Sequence, residues 1–233
     1  PENVGMNSKV LTKIDSIANY AISKKMTPGI QVVVARKGKV IYQKSFGNHT
    51  YESTQKVNNT DVYDIASLTK IVATLPNVMQ EFDQGHLTLE TKLKTMLPEA
   101  KNSNKANATV LDMLTHQARF QPWIPFYKAT LDSLNRPSTH FYRSEFSDEF
   151  PVHVADKLYL RKNYNDTIVK TILDSELLPK KQYKYSDFTF ILFKEYLELH
   201  NKKSLEDLAH ANFFEPLGAN SIMYNPLRKM NAN

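Results

Sequence analysis

The chain of 233 residues contains no cysteine, only six glycines and a single tryptophan. The absence of cysteine excludes disulfide bonds, thiolate zinc sites and a cysteine nucleophile. No apolar run approaches the roughly 18 residues of a membrane-spanning helix, so the sequence predicts no membrane span. The hydrophobic fraction of 41% and the charged fraction of 23% are typical of a globular protein. They exclude wholly disordered and collagen-like classes.

Arginine is also scarce, with six residues against 24 lysines. Together with 24 acidic residues they give a net charge of +6. Nucleic-acid-binding proteins typically rely on arginine and concentrate positive charge on one element. Here the lysines are scattered, and the densest pairs lie at predicted helix ends or in loops. We therefore expect no nucleic-acid partner, and we keep nucleic-acid binding only as a third hypothesis.

The histidine spacing gives no indication of a metal site. The seven histidines include no pair at i, i+4 spacing and no HExxH motif. Those are the patterns that place two imidazoles on one helical turn for a metal ion. We therefore predict no metal site, and the sequence implies no organic cofactor.

Hydrophobic periodicity predicts six helices, at 8–25, 65–84, 109–116, 164–173, 187–200 and 204–214. Asn7 or Ser8 is the expected N-cap of the first helix. Pro76 should kink or end the second, because proline removes one backbone hydrogen bond and clashes with the preceding turn. Ser204 with Asp207 resembles a capping box at the start of the last helix.

A β-hairpin is predicted from Ile30 to Phe46, with its turn at Lys37 and Gly38. Two strands alone are marginal in water, so we expect further strands beyond Asn233 or in another chain. The sequence starts at a proline and shows no signal-peptide pattern, which indicates a processed or excised chain. We predict one incomplete domain over 1–233, with a helix and hairpin over 1–62 and a mostly helical part over 63–233.

Ser67 and Lys70 form an SxxK tetrad at the start of an apolar helix. At i, i+3 spacing the hydroxyl and the ammonium group share one helical face. A second SxxK tetrad, Ser53 with Lys56, lies in a polar loop without helical periodicity. We therefore interpret the second tetrad as solvated surface and the first as the candidate for chemistry.

The start of a helix suits a serine nucleophile. Backbone N–H groups of the first turn have no intrahelical partner, and the helix dipole favours negative charge there. Ser67 could thus form an alkoxide beside an oxyanion-hole donor. An apolar setting would lower the pKa of Lys70 toward that of a general base. The alternative is that Ser67 is only an N-cap and Lys70 only a surface cation.

Tyr185, Ser186 and Asp187 precede the predicted helix at 187–200. A tyrosine with a pKa near 10 is a poor base unless a cation stabilises its phenolate. Lys70 could do so, and Lys70 and Tyr185 could then pass the proton of Ser67 to a leaving group. The alternative is that Tyr185 packs at the helix start and Asp187 is its N-cap.

Five segments together resemble the serine β-lactamase and penicillin-binding protein superfamily. They are TPGIQVVVAR at 27–36, IASLTK at 65–70, VLDMLTH at 110–116, YSD at 185–187 and FEPLG at 214–218. The most similar branch contains class C β-lactamases, D-alanyl-D-alanine carboxypeptidases and related esterases. The resemblance implies an α/β (α+β) fold of the β-lactamase/transpeptidase type, in which helices flank an antiparallel sheet beside a mostly helical region.

The resemblance also implies roles for four residues. Ser67 would be the acylated nucleophile, Lys70 its proton acceptor and Tyr185 the partner acid/base. Asp187 would contact the substrate at the position where this branch usually has asparagine. A carboxylate there would raise the pKa of Lys70 by stabilising its charged form, and would repel a carboxylate on the substrate.

One family motif is missing from the sequence. A Lys or His followed two residues later by Gly should come after Tyr185, and none does. Arg36-Lys37-Gly38 is similar only in letters, and we interpret it as the hairpin turn. In relatives this motif lies on a late β-strand that supplies a second oxyanion donor. Losing one donor costs on the order of a hundredfold in rate. The alternative function is therefore a non-catalytic or accessory module that binds a ligand without turnover.

Other residues near these motifs have simpler interpretations. His116, at a predicted helix end, is interpreted as a C-terminal cation or cap rather than a site residue. The aromatic side chains between 118 and 162, a stretch with few clear elements, include Trp123, Phe120, Phe126 and Tyr127. They could line a substrate groove, but local packing is the preferred interpretation.

The leading hypothesis is an SxxK serine hydrolase that attacks a lactam, amide or ester carbonyl through an acyl-enzyme on Ser67. The resemblance implies a small-molecule or peptidoglycan-like substrate and a periplasmic or extracellular location. The opening segment at 1–6 resembles the start of such domains where they follow a glycosidase in one polypeptide. Fusion to an upstream domain of that kind is therefore a further expectation.

Overall fold

The structure is a computed structural model that describes residues 1–226. The chain divides into two compact units, Pro1–Asp64 and Ile65–Asn233. The first unit contains α1 (Ser8–Leu11), α2 (Lys13–Ser23), β1 (Gly29–Arg36) and β2 (Lys39–Gly47), after a short 3-10 turn at Glu2–Val4.

The predicted helix at 8–25 is interrupted at Thr12, which separates α1 from α2. The Thr12 hydroxyl donates to the carbonyl oxygen of Lys9 at 2.8 Å. Such local side-chain bonds compete with regular helix hydrogen bonding. The predicted cap is confirmed, because the Asn7 side chain accepts a hydrogen bond from the backbone N–H of Val10.

Strands β1 and β2 pair antiparallel, as predicted, with one bulge between Val34 and Ala35. Both turn residues, Lys37 and Gly38, have positive φ angles, which matches the right-handed twist of the flanking strands. In the same unit, Asp15 of α2 contacts the hairpin and accepts hydrogen bonds from Tyr42 at 2.6 Å and Lys44 at 2.9 Å.

The second unit is mostly helical. Its α-helices are α3 (Leu75–Asp83), α4 (Leu93–Met96), α5 (Val110–Leu114), α6 (Tyr164–Asp174), α7 (Phe188–Asn201) and α8 (Leu205–Ala209). Wide, π-type turns occupy Lys70–Thr74 and His210–Phe214, and 3-10 turns occupy Ala66–Leu68, Pro98–Asn102 and Phe126–Thr130. The predicted capping residue Ser204 accepts a hydrogen bond from the backbone N–H of Asp207 at 3.1 Å.

Pro76 does not end the helical path that begins at Lys70. The wide turn Lys70–Thr74 precedes it, and its last hydrogen bond runs from Leu75 N–H to the Lys70 carbonyl. Pro76 then lies in the first turn of α3. A proline costs little in a first turn, where its missing N–H would have no intrahelical partner.

A small antiparallel sheet lies in the region where the sequence indicates few elements. Its strands are β3 (Tyr142–Arg143), β4 (Val152–Ala155) and β5 (Leu158–Leu160), in the order β3-β5-β4. Strands of two to four residues are too short for alternation to be visible in the sequence.

The main hydrophobic core of the second unit is built between the helices, with α7 contributing four side chains that have no exposed surface. These are Phe188, Leu192, Phe193 and Leu197. Helices together with antiparallel sheets confirm the predicted mixed α/β class. No helix within residues 1–226 combines the length and apolar character needed to cross a bilayer.

Candidate active site

Ser67 lies in the middle of the 3-10 turn Ala66–Leu68 and is exposed to solvent. The preceding residue, Ala66, has a φ of +43°. A residue with a Cβ atom rarely adopts this left-handed backbone conformation. It costs on the order of 1–3 kcal/mol, and such strained residues are concentrated at functional sites. The strained residue thus lies immediately before Ser67, in the 3-10 turn that precedes the helical path.

The Lys70 amine lies between a hydroxyl and a carboxylate. Its Nζ donates to the Ser67 Oγ at 3.1 Å and lies 2.8 Å from the Asp187 Oδ1. The Lys70 side chain is 17% exposed, whereas that of Asp187 is 42% exposed. The wide turn that begins at Lys70 therefore places a half-buried cation directly beside the candidate nucleophile.

The loop before α7 is held by Ser186, which is buried. The Ser186 hydroxyl donates to the Gln121 carbonyl at 2.6 Å and accepts from the backbone N–H of Phe188 at 3.2 Å. The backbone N–H of Asp187 donates to the Pro122 carbonyl at 2.9 Å. Asp187 occupies the N-cap position but makes no capping bond with its side chain. Its carboxylate is thus directed to Lys70, and Ser186 bonds the helix start instead.

Tyr185 also lies beside Lys70. The Lys70 Nζ is 5.3 Å from the centre of the Tyr185 ring and 6.0 Å from that of Phe190. The structure therefore brings Ser67, Tyr185 and Asp187 around the ammonium group of Lys70.

The charge state of Lys70 follows from these neighbours. Burial favours the neutral amine and lowers its pKa, but hydrogen bonds and charge interactions with Asp187 and Tyr185 more than offset this effect. The pKa of Lys70 therefore lies above the ordinary lysine value, as the sequence analysis expects for a carboxylate at position 187. Lys70 is an ammonium ion at neutral pH in this arrangement.

His116 lies closer to this cluster than the sequence interpretation suggests. Its ring centre is 4.7 Å from that of Tyr185, and its Nδ1 accepts a hydrogen bond from the backbone N–H of Ser186 at 3.2 Å. Burial, and then the positive charge of Lys70, lower the pKa of His116. The interpretation as a helix C-terminal cap holds, because His116 has a φ of +54° and its backbone N–H donates to the Met113 carbonyl at 3.1 Å. The lowered pKa disfavours the alternative role as a C-terminal cation. The sequence signal for a position beside the site was that His116 ends the family segment at 110–116.

The aromatic residues of the 118–162 region divide into two groups. Phe120 is buried, and Phe126 packs against Phe188 with 6.4 Å between ring centres. Trp123 and Tyr127 are both largely exposed. The packing interpretation therefore holds for the two phenylalanines, whereas more than half of the surface of Trp123 and of Tyr127 is exposed.

The second SxxK tetrad makes contacts within its own loop. The Ser53 hydroxyl accepts from the backbone N–H of Gln55 at 3.0 Å, and Lys56 forms an isolated β-bridge with Asn48. Arg36 ends β1 beside the hairpin turn. These observations agree with the interpretation of both segments as surface and turn.

Comparisons of the sequence with known proteins give a consistent result. A model of the beta-lactamase family matches residues 18–232. An N-acetylmuramyl-L-alanine amidase of Bacillus subtilis is 25% identical over 98% of this chain and 49% of its own length. A Salmonella gallinarum protein provisionally named a D-alanyl-D-alanine carboxypeptidase is 22% identical over 98% of this chain and 50% of its own length.

Among solved structures, a class C β-lactamase from Rhodobacter sphaeroides superposes with a TM-score of 0.59 at 20% identity. The match covers 89% of this chain and 49% of that protein. The chain therefore spans about half the length of the relatives that it matches. The predicted fold is confirmed, and the chain belongs to the beta-lactamase family.

Proposed function

We propose that this chain carries the nucleophile of a serine hydrolase, with Ser67 forming an acyl-enzyme on a lactam, amide or ester carbonyl. The observation that carries the proposal is the position of the Lys70 amine, 3.1 Å from the Ser67 oxygen and 2.8 Å from Asp187. A cation in hydrogen-bond contact with a serine at a strained helix start is the arrangement that stabilises a developing alkoxide.

The proposed reaction proceeds in two steps. The Ser67 oxygen bonds to the substrate carbonyl carbon and releases its proton, and Lys70 and Tyr185 relay that proton to the departing amine or alcohol. Water then attacks the acyl carbon and regenerates the serine. A basic group accepts a proton only in its unprotonated form. Since Asp187 holds Lys70 as an ammonium ion, we expect acylation to accelerate toward alkaline pH.

The relatives suggest the class of substrate. Their names, amidase, carboxypeptidase and β-lactamase, refer to amide or lactam bonds. We extend this to a small-molecule or peptidoglycan-like substrate and to a periplasmic or extracellular setting. The Asp187 carboxylate repels an anionic group, so substrates without a carboxylate beside the scissile bond are favoured.

The second candidate function is an accessory module that binds a ligand without turnover. The ion pair between Lys70 and Asp187 favours it, because an ammonium ion cannot accept the proton of Ser67.

Covalent labelling separates the two functions. The full natural polypeptide that carries this sequence is incubated with a fluorescent penicillin and with a fluorophosphonate probe between pH 7 and pH 10. The hydrolase predicts labelling that is lost in Ser67→Ala. Ser53→Ala, in the other SxxK tetrad, is the matched control and should label as the unmodified protein does. Absence of labelling by both probes would support the accessory module, and labelling that persists in Ser67→Ala would exclude Ser67 as nucleophile.

A further inference from the structure

Three potential metal ligands meet at the far end of α3. Glu81 lies in the last turns of this helix, His86 follows its end, and His200 lies in the last turn of α7. One ligand atom from each of these side chains lies within 4.8 Å of the other two. At 1.5 Å of rise per residue, Glu81 is about 20 Å along the helical path from Ser67, so the cluster is separate from the candidate active site.

The end of α3 fixes His86 against Glu81. Gly85 has a φ of +78°, and the backbone N–H groups of Gly85 and His86 donate to the carbonyls of Phe82 and Glu81. This is the Schellman arrangement, which turns the chain back on the last turn of a helix. As a result, the His86 Nδ1 lies 2.9 Å from the Glu81 Oε2.

Glu81 is a buried carboxylate whose two oxygens have different neighbours. The side chain is 5% exposed, and its Oε1 accepts a hydrogen bond from the Asn201 amide at 2.9 Å. Its Oε2 faces both imidazoles, with the His200 Nε2 at 3.4 Å. The Tyr196 hydroxyl also donates to Oε2, at 3.5 Å. The Asn201 amide and the Tyr196 hydroxyl therefore orient the carboxylate, as outer groups commonly do for metal ligands, with Oε2 directed toward the imidazoles.

Within residues 1–226, the two imidazoles are the only potential cations within 4 Å of the Glu81 carboxylate. A buried carboxylate needs a compensating positive charge, because burying an unpaired ion is costly. A divalent cation held by both imidazoles would place positive charge directly beside the buried Glu81 carboxylate.

We propose that Glu81, His86 and His200 form a binding site for a divalent transition-metal ion, with Zn²⁺ as its probe. Two imidazoles and one carboxylate form a three-ligand zinc set, with metal–ligand distances of about 2.0–2.2 Å and an open fourth position. Imidazole ligands favour such metals over Mg²⁺ and Ca²⁺, which prefer oxygen. The histidine side chains are 44% and 40% exposed, so an ion can enter from solvent and retain a water molecule.

Histidine spacing in the sequence cannot detect this site. The spacing patterns describe two ligands on one helix, whereas here the ligands come from α3, the turn after it and α7. The ion would link the ends of two helices that pack within the same core. Binding should therefore stabilise the second unit as well as occupy the site.

The test is a titration of the tag-free, chelator-treated full chain with Zn²⁺, followed by calorimetry and thermal unfolding. We expect one equivalent to bind, and a Tm that is about 5–10 °C higher at a free zinc concentration of one hundred times Kd. Co²⁺ should give the absorption bands of a low-coordinate site with nitrogen ligands.

Two ligand variants and one control variant test the assignment. Glu81→Gln keeps the size of the side chain and removes its charge, and His200→Gln replaces a half-exposed imidazole with an uncharged polar side chain. Both should weaken Zn²⁺ binding at least tenfold, with folding checked by circular dichroism. His140→Gln, at an exposed histidine on another element, should bind as the unmodified chain does. No binding by the unmodified chain, or equally tight binding by both ligand variants, would overturn the proposal.

Discussion

The helical path from Lys70 to Asp83 carries a polar cluster at each end, and the less exposed charge has the opposite sign in the two clusters. At the first end a half-buried ammonium, Lys70, is paired with the exposed carboxylate of Asp187. At the second end a buried carboxylate, Glu81, meets two half-exposed imidazoles. The charge that needs compensation is therefore positive at one end and negative at the other.

Exposure determines what each cluster can do. An ion pair with a solvent-exposed partner contributes little to stability, because water screens and replaces it. The Lys70 cluster can consequently be rearranged for chemistry at small cost to the fold. The Glu81 cluster is shielded, so its bonds are expensive to break and it is suited to a structural role. The following predictions break or sharpen this contrast, beginning with the largest expected effect.

Replacing Lys70 by alanine removes the only described cation in contact with the Ser67 oxygen. General acid–base groups contribute about 10²–10⁴-fold to rate, so the rate of probe acylation should fall by that factor. The measurement is the time course of fluorescent labelling. Lys170→Ala removes a cation from an exposed pair on α6 and should leave the rate unchanged. A Lys70→Ala rate within threefold of normal would contradict the proposed role.

Replacing Glu81 by alanine should destabilise the protein by about 2–4 kcal/mol. The change leaves the Asn201 amide and the Tyr196 hydroxyl without their buried acceptor, and such orphaned groups cost about 1–3 kcal/mol each. Asp187→Ala also removes a carboxylate, but at an exposed position, and should lower the free energy of unfolding by less than about 1 kcal/mol. Urea unfolding in the presence of a chelator measures both. Equal losses would refute the contrast between the two ends.

Replacing Ser186 by alanine tests the loop that positions Asp187. The Gln121 carbonyl loses its donor in partly buried surroundings, and the Phe188 N–H loses its acceptor in buried surroundings. We expect a loss of about 1–2 kcal/mol in the free energy of unfolding. Ser53→Ala, in a loop of the first unit, should change it by less than about 0.5 kcal/mol. A similar loss in both variants would show that Ser186 has no special part in this loop.

Replacing Asp187 by asparagine should change pH dependence more than stability. The carboxylate raises the pKa of Lys70, so its removal lowers that pKa and increases the neutral amine near pH 8. The alkaline rise of the acylation rate should therefore begin at a lower pH. Asp174→Asn, in the exposed pair of α6, is the matched control. An unchanged profile would show that Lys70 is not the titrating base.

The same substitution has a defined effect on the pH dependence of stability. Because the folded pKa of Lys70 is raised, its stabilisation is fully present below the ordinary lysine pKa and is lost as pH rises through the raised value. The small difference in unfolding free energy between the unmodified protein and Asp187→Asn should therefore vanish at strongly alkaline pH. A difference that grows with pH would contradict this linkage.

Long elements with strong periodicity could be predicted from the sequence. The segments at 164–173 and 187–200 correspond to α6 and α7, and the run from Ile30 to Phe46 forms the predicted hairpin. The caps at Asn7 and Ser204 are likewise confirmed, because capping depends on the chemistry of a few neighbouring residues. Local information was sufficient for each of these features.

The short strands β3–β5 and the wide turn at Lys70–Thr74 could not be predicted in this way. Two to four residues carry no measurable alternation, and a wide turn has the same apolar composition as an ordinary helix. The choice between Asp187 as a cap and Asp187 as a partner of Lys70 also depended on a contact between residues 117 positions apart. In the structure its carboxylate is directed to Lys70.

The sequence by itself determined the family, the mixed class of the fold and the order of its main helices, because these depend on composition, periodicity and segment order. Only the tertiary structure decided which charges meet. It placed Asp187 on Lys70, turned His116 toward Tyr185 and brought Glu81 between two histidines. Electrostatic contacts depend on distances of a few ångströms between elements far apart in the chain, and no local pattern encodes those distances.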